Sequence, residues 1–293
     1  MAHILLSGGT GFLGSQILDA LLVQGHEVTL LKRVDSDVSR IAHSLKLINY
    51  YDVDDVSLDS VFKESKMDLV IHTACNYGRN NESASKILET NLVFGLELLE
   101  FSANYGVSAF INTDSLLPSG TNYYSLSKNQ FYQWLKSYSG TIKRVNVKID
   151  YMYGEGEGSS TFLSYLLRGF KERFKRLRLT GGDQLRDFIH VSDVVSAYMS
   201  IVSNINALAD FEEFEVGSGL SITVREFVET VKSRFTQEFG PTDTTLGFGD
   251  VPYRQGDLDF IGLDTVGIKN LGWAPDVDLC EGIDRVIGSM TIK

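Results

Sequence analysis

The hydrophobic pattern of the first 150 residues alternates between short apolar runs and longer stretches with helical spacing. Residues 2–7 are mostly apolar and run straight into a glycine-rich turn. Further runs follow at Glu27–Leu31, Leu45–Tyr50, Leu69–Thr73, Ala109–Thr113 and Ile142–Ile149, each short enough to be a strand. Between the first two, Phe12, Ile17, Leu18, Leu21 and Leu22 recur at the period of an amphipathic helix, which predicts a helix over 12–24. Helices are also expected at about 57–66, 82–105 and 122–138. Strands and helices alternating at these lengths predict an α/β fold, a doubly wound parallel sheet with helices on both faces. After residue 150 the texture changes to glycines, acids and short elements, with a basic run at Lys171–Arg178. The expected organisation is a larger domain over 1–150 and a smaller α/β lobe over 151–293. A piece near 187–203 is expected to return to the first domain.

Ser7-Gly8-Gly9-Thr10-Gly11-Phe12-Leu13-Gly14 lies between the first strand and the first helix. It satisfies GxGxxG at 9, 11 and 14 and GxxGxxG at 8, 11 and 14. Glycines there permit a tight turn and let the backbone approach a pyrophosphate. The pyrophosphate sits on the helix N-terminus, where free N–H groups and the dipole favour negative charge. Gly8, Gly11, Phe12, Leu13 and Gly14 are therefore candidate dinucleotide ligands. The second strand ends at Lys32-Arg33, where NAD binders usually carry an acid for the ribose hydroxyls. Two cations suit the 2′-phosphate of NADP instead. NADP is thus expected as cofactor in preference to NAD. Asp52 and Val53, after the third strand, are candidates for the adenine edge.

The 293 residues carry 27 Lys and Arg against 38 Asp and Glu, a net charge of −11. Such a balance disfavours a nucleic-acid backbone or an anionic membrane surface as partner. No stretch approaches the roughly 18–20 apolar residues of a membrane span. The start, Met1-Ala2-His3-Ile4, reads as a strand and not as a signal peptide, so a cytoplasmic location is expected. Cys75 and Cys280 are far apart and in no metal-ligand spacing, so reduced thiols and no metal site are expected.

Tyr124-Ser125-Leu126-Ser127-Lys128 places a phenol and an ammonium at i and i+4, on one helix face. A nearby ammonium lowers a phenol's pKa, which equips the tyrosine to exchange protons with a carbonyl oxygen. A second such pair, Tyr132 and Lys136, lies roughly 12 Å further along the same helix and reads as surface or interface. Ser115, at the end of the fifth strand, is a candidate hydrogen-bond partner for the same oxygen.

With these motifs the chain resembles the extended short-chain dehydrogenase/reductase family, also called the NAD-dependent epimerase/dehydratase family. Ile71-His72-Thr73-Ala74 resembles its fourth-strand motif, and Asn91 falls at the Asn of its long central helix. Tyr153-Gly154-Glu155-Gly156 resembles its Tyr-Gly-Pro-Gly turn. Arg186-Asp187-Phe188-Ile189-His190-Val191 with Asp193, Glu215–Gly219, Arg254-Gln255-Gly256-Asp257 and Leu271–Pro275 resemble later landmarks. The resemblance implies a Rossmann fold and an NAD(P)-dependent oxidoreductase acting on a nucleotide sugar. It implies that Tyr124 is the acid/base and that Lys128 holds the nicotinamide ribose and depresses the Tyr124 pKa. Ser115 would polarise the reacting oxygen, Thr73, Ala74 and Asn91 would line the cofactor, and Arg186 and Arg254 would grip the substrate diphosphate. It also implies a homodimer through the helices near 82–105 and 122–138, with Phe131, Trp134 and Leu135 as candidates for the seam.

Thr113-Asp114-Ser115 lacks the Glu that the family's dehydratases carry, so dehydration is disfavoured. Asn76-Tyr77-Gly78, Asn112–Ser115 and Gln184–Tyr198 resemble reductases of the CDP-abequose and CDP-paratose synthase type. That resemblance makes Asn76 a substrate-binding candidate. It implies NADPH-dependent reduction of the C4 ketone of a 4-keto-6-deoxyhexose, in the making of surface polysaccharide such as O-antigen. The alternatives are an NAD-dependent nucleotide-sugar 4-epimerase and a non-enzymatic NADP-binding regulator. Only nine positions separate Ser115 from Tyr124, a short connection for this family, and Lys148 stands where the family often has Arg.

Overall fold

The apolar runs become the strands of a central sheet. A computed structural model describes residues 1–254, 256–258 and 262–290. Its first half comprises β1 (His3–Ser7), α1 (Phe12–Val23), β2 (Glu27–Lys32), β3 (Asn49–Asp52), α2 (Leu58–Glu64) and β4 (Leu69–His72). These are followed by α3 (Ala84–Leu88), α4 (Phe94–Asn104), β5 (Ala109–Ser115), α5 (Tyr123–Ser137) and β6 (Lys143–Ile149). The second half adds β7 (Tyr151–Tyr153), α6 (Phe162–Lys171), β8 (Arg176–Arg178), β9 (Leu185–His190), α7 (Val191–Asn204) and β10 (Phe211–Val216). The remaining elements are β11 (Ser221–Thr223), α8 (Val224–Phe239), β12 (Thr245–Gly247), α9 (Val266–Lys269) and α10 (Leu279–Ser289).

Seven strands form the central sheet in the order β10-β6-β5-β4-β1-β2-β3. The pairs from β6 across to β3 are all parallel. Ile4, Leu5, Leu6, Val70, Ile71, Phe110 and Ile111 are fully buried, as expected of parallel strands covered on both faces. Strand order reverses between β1 and β4. In open α/β sheets ligands bind outside the carboxyl ends of the strands at such a switch point. The loops after β1 and β4 both lie there.

The chain divides into two units. The first holds Met1–Ile149, Val195–Glu215 and Val266–Trp273; the second holds Asp150–Val194, Val216–Thr265 and the chain from Ala274 onward. The returning piece lies at 195–215, later than the sequence suggests, and 266–273 joins it. The second unit has a three-stranded sheet, β11-β9-β7, and a β12-β8 pair. Its core includes the Phe188 and Phe227 rings, stacked at 3.8 Å between centroids.

Two elements differ from the sequence pattern. Leu45–Leu47 forms a single 3₁₀ turn, and β3 begins only at Asn49. Leu47 is 67% exposed, so the alternating leucines mark no buried face. The long helix expected over 82–105 is interrupted. Glu89–Val93 forms a π turn between α3 and α4, and Asn91, fully buried, sits at its middle. Such turns accommodate one extra residue in a helix and recur at functional sites.

Candidate active site

The glycine loop and the loop after β4 run backbone against backbone. Gly8 has φ of +79°, and a Cβ there would collide with the backbone nitrogen of Ala74. Thr73 fixes this contact by donating both its N–H, at 3.0 Å, and its hydroxyl, at 2.8 Å, to the Ser7 carbonyl. A Cβ at Gly14 would collide with the Gly8 carbonyl, so that glycine is also required by the turn. Gly11 is different: a Cβ there would touch only the Gly8 oxygen, at 3.2 Å. Gly11 caps α1 with extended backbone and no side-chain cap. The Ser15 N–H bonds back to Gly11 at 3.0 Å, and the first-turn N–H groups before it, those of Phe12, Leu13 and Gly14, have no intrahelical acceptor. A cradle of glycine backbone and free N–H groups at a switch point fits a dinucleotide pyrophosphate.

At the end of β2 the two cations are each matched by an acid, where the sequence reading treats them as open charges. The Lys32 ammonium pairs with Asp52 at the neighbouring end of β3. The Val53 N–H donates to the Lys32 carbonyl at 2.9 Å. Arg33 is exposed and lies 3.6 Å from Asp35. Asp52 and Val53 are therefore joined to the end of β2.

Tyr124 sits in the first turn of α5. A reciprocal cap starts the helix just before it: the Ser125 N–H donates to the Asn122 side chain at 2.8 Å, and the Asn122 N–H donates to Ser125 Oγ at 3.2 Å. This cap fits the short connection from Ser115, and Ser115 is among the neighbours of the Tyr124 phenol. Burial, followed by the neighbouring Tyr77, Cys75 and Asp114, pushes the Tyr124 phenol well above its usual range. Lys128, expected to depress it, is not among these causes. Lys128 is nearby and 2% exposed, but loss of solvent dominates. A raised pKa favours the neutral phenol.

Asp114, beside Ser115, is buried. It accepts from Asn146 at 2.9 Å and from the Ser115 N–H at 2.8 Å, and burial raises its carboxyl pKa. A cavity of about 170 Å³ lies here, lined by Asp114, Ser115, Ser119, Asn129 and Lys148 among others. Lys148 is paired with Glu213 at 3.0 Å. His72 is fully buried, with Nδ1 bonded to Ser7 Oγ at 2.7 Å, and burial lowers its pKa to about 3.

Asn91 joins three segments. Its Oδ1 accepts the Asn76 N–H at 2.6 Å, while its Nδ2 donates to the Asn76 carbonyl and to Ser127 Oγ, both at 2.9 Å. The Asn76 side chain accepts the Gly78 N–H at 2.9 Å and so shapes its own loop. Asn91 and Asn76 thus appear as partners of each other. This loop carries Tyr77, whose ring centroid lies 4.8 Å from that of Tyr124. Sequence reasoning used Tyr77 only for resemblance and left Cys75, a neighbour of Tyr77, without a role.

Phe131 and Leu135 are fully buried in the first unit's core, which corrects their placement in a dimer seam; Trp134 is 56% exposed. The Lys136 ammonium donates to the Tyr132 hydroxyl at 3.3 Å. In the second unit, Arg186 is held by Asp257, with contacts to the carboxylate at 3.2 Å and to the carbonyl at 3.1 Å. The Arg254 N–H donates to the same carboxylate at 2.8 Å. Asp257 is a partner that sequence reasoning missed, although it quoted the residue as a landmark. Gln255 of that segment lies outside the described residues. No helix among the described residues is long and apolar enough to cross a membrane.

A doubly wound sheet, a glycine cradle at its switch point and a half-buried tyrosine near Ser115 with a lysine one turn on define an NAD(P)-dependent enzyme of the oxidoreductase type. The chain belongs to the NAD dependent epimerase/dehydratase family, whose model matches residues 4–217. It is 26% identical to CDP-abequose synthase of Salmonella typhimurium over 97% of each chain. It is 25% identical to a putative UDP-glucose 4-epimerase of Methanocaldococcus jannaschii over 98% of each. Among solved structures, UDP-glucose 4-epimerase of Thermotoga maritima with UDP-glucose superposes with a TM-score of 0.83 at 23% identity, covering 99% of this chain and 100% of that one. The Thermus thermophilus UDP-glucose 4-epimerase complex with NAD gives a TM-score of 0.80 at 24% identity, covering 99% of both chains.

Proposed function

We propose that the protein reduces the C4 ketone of a nucleotide-linked 4-keto-6-deoxyhexose with NADPH, as CDP-abequose synthase-type reductases do. The observation that carries this reading is Tyr124 in the first turn of α5 with Ser115 among its neighbours and its phenol pKa raised by loss of solvent. When bound, the reduced dinucleotide supplies hydride. Tyr124 gives its proton to the C4 oxygen as that oxygen gains charge, and Ser115 shares the same oxygen. Donors fixed in a site shielded from water need no reorganisation as charge develops. The glycine cradle and the first turn of α1 hold the pyrophosphate, Lys128 the nicotinamide ribose, and Arg186 and Arg254 the substrate diphosphate. Lys32 and Arg33, in place of the acid of NAD binders, support NADPH over NADH.

A nucleotide-sugar 4-epimerase using NAD is the second reading. It is favoured by the pairing of Lys32 with Asp52 and Arg33 with Asp35, which leaves no net positive charge at the end of β2. Nicotinamide absorbance decides between them. Purified protein is mixed with NADPH or NADH and CDP-4-keto-6-deoxyglucose. Stoichiometric loss of the NADPH signal supports the reductase. No loss, with NAD retained through purification, supports the epimerase.

The reading includes a cytoplasmic homodimer formed through α5 and its neighbours. Tyr123, Leu126 and Trp134 on α5 are 62%, 42% and 56% exposed, which leaves an apolar stripe for a second copy. Light scattering should give twice the chain mass, falling to one chain mass for Trp134→Glu.

A further inference from the structure

Tyr124 lies at the beginning of a helix, where its ring is only half-buried. A ring there can swing about its first side-chain torsion unless a neighbour blocks it. Tyr77 is such a neighbour. Its ring packs on that of Tyr124 with 4.8 Å between centroids and planes inclined by 33°, within the range of favourable aromatic pairs. Tyr77 gains little from the core, since it is 47% exposed.

The loop bearing Tyr77 is fixed at several points. Asn91 holds the N–H and carbonyl of Asn76, and the Asn76 side chain holds the N–H of Gly78, so both neighbours of Tyr77 are tied. Gly78 has φ of +69°, which turns the chain sharply beyond the ring. The Arg79 guanidinium lies 4.5 Å from the Tyr77 ring centroid. Asn91 also holds Ser127 on α5, one residue before Lys128. One buried amide thus references the Tyr77 loop to the helix that bears Tyr124.

We propose that Tyr77 is a positioning residue for the reaction: its ring, set by the Asn91-clamped loop, holds the Tyr124 ring so that the phenol points at Ser115 and at the substrate oxygen they share. The proposal rests on the reading of Tyr124 as proton donor. It goes beyond that reading by adding a second tyrosine that touches the donor and is absent from the Tyr-x-x-x-Lys motif.

The test compares Tyr77→Ala with Tyr77→Phe in the full-length protein. A misplacement of about 1 Å in a reacting group can cost about a hundredfold in rate. Tyr77→Ala is expected to lower kcat roughly ten- to a hundredfold, with the cofactor KM unchanged. Tyr77→Phe keeps the ring and should restore kcat to within about threefold of wild type. A second readout needs no substrate. Tyrosines labelled with carbon-13 at Cζ are followed by NMR against pH, and the Tyr124 signal is assigned by its loss in Tyr124→Phe. Uncovering the phenol should move its ionisation to lower pH in Tyr77→Ala, and by less in Tyr77→Phe, which keeps the ring over it. A wild-type kcat in Tyr77→Ala, or equal damage in Tyr77→Phe, overturns the proposal. If the wild-type protein turns over no 4-keto sugar, the functional reading fails separately. The Tyr124 titration then decides the stack, and an unchanged titration in Tyr77→Ala overturns it.

Discussion

Lys32 and Asp52 form an ion pair between the carboxyl ends of β2 and β3, with the lysine side chain only 10% exposed. An NADP 2′-phosphate would have to share this ammonium with a carboxylate. Asp52→Asn should therefore strengthen NADPH binding several-fold and change NADH binding little. Arg33→Ala should weaken NADPH selectively. Fluorescence titration with each nucleotide checks both. Loss of the partner also leaves a largely buried ammonium unpaired, so Asp52→Asn should lower Tm by several degrees.

The three glycines of the cradle should separate folding from binding. At Gly8 and Gly14 an added Cβ meets backbone, so alanine there must displace the turn and lower Tm. Gly11 has φ of −78° and space for a methyl group apart from one 3.2 Å contact. Gly11→Ala should melt within a few degrees of wild type yet lose at least about tenfold in dinucleotide affinity, because the backbone must approach the pyrophosphate closely. Calorimetric melting and nucleotide titration on the same preparations check this.

Tyr124→Phe should reduce kcat by about 10²–10⁴, the usual contribution of a positioned acid, with cofactor affinity preserved. The pH dependence has a definite sign. Burial disfavours the phenolate, so the donor form persists through neutral and mildly alkaline pH. The kcat profile should show no fall from Tyr124 ionisation below about pH 10. An alkaline limb near pH 8 that vanishes only in Tyr124→Phe would contradict this.

Asp150 offers a test of stability against pH. Burial raises its carboxyl pKa to about 6, with the Asp187 N–H bond and the Arg186 charge opposing. The folded state then holds this proton more tightly than the unfolded chain does. Folding stability from this group is full below about pH 4 and is lost as pH rises towards 6. Asp150→Asn removes the penalty while keeping an acceptor for the Asp187 N–H. It should stabilise the protein by about 1–3 kcal/mol at pH 8 and by little at pH 4. Urea melts at the two pH values check the difference.

What could be read from the chain was whatever depends on local chemistry. The glycine loop announces itself because its requirement is the absence of side chains, and the Tyr124/Lys128 pair because i and i+4 share a face. The strands of the sheet were legible for the same reason, since Ile4–Leu6 or Phe110-Ile111 has only a buried strand to occupy. Relations across the chain were not legible. Lys32 and Asp52 are twenty positions apart and meet only because β2 and β3 are neighbours. Tyr77 meets Tyr124 only because the loop after β4 passes over the start of α5. Phe131 and Leu135 match a dimer seam as well as a core by composition, and only packing assigns them to the core. The break in the long helix shifts the hydrophobic phase by about one residue, and the short stretches on either side, Ala84–Leu88 and Phe94–Asn104, do not show that shift clearly in the sequence.

That break makes residue count a functional variable. Successive helical residues are rotated by about 100°, so deleting one residue between Glu89 and Val93 would restore a regular helix while turning everything before it against everything after it. Asn91 could not then face the Asn76 loop while Leu98 and Leu99 kept their places in the core. A shortened chain would have a better helix and a worse site. The irregular turn is therefore a phase correction, and its value lies in what it aligns across the fold.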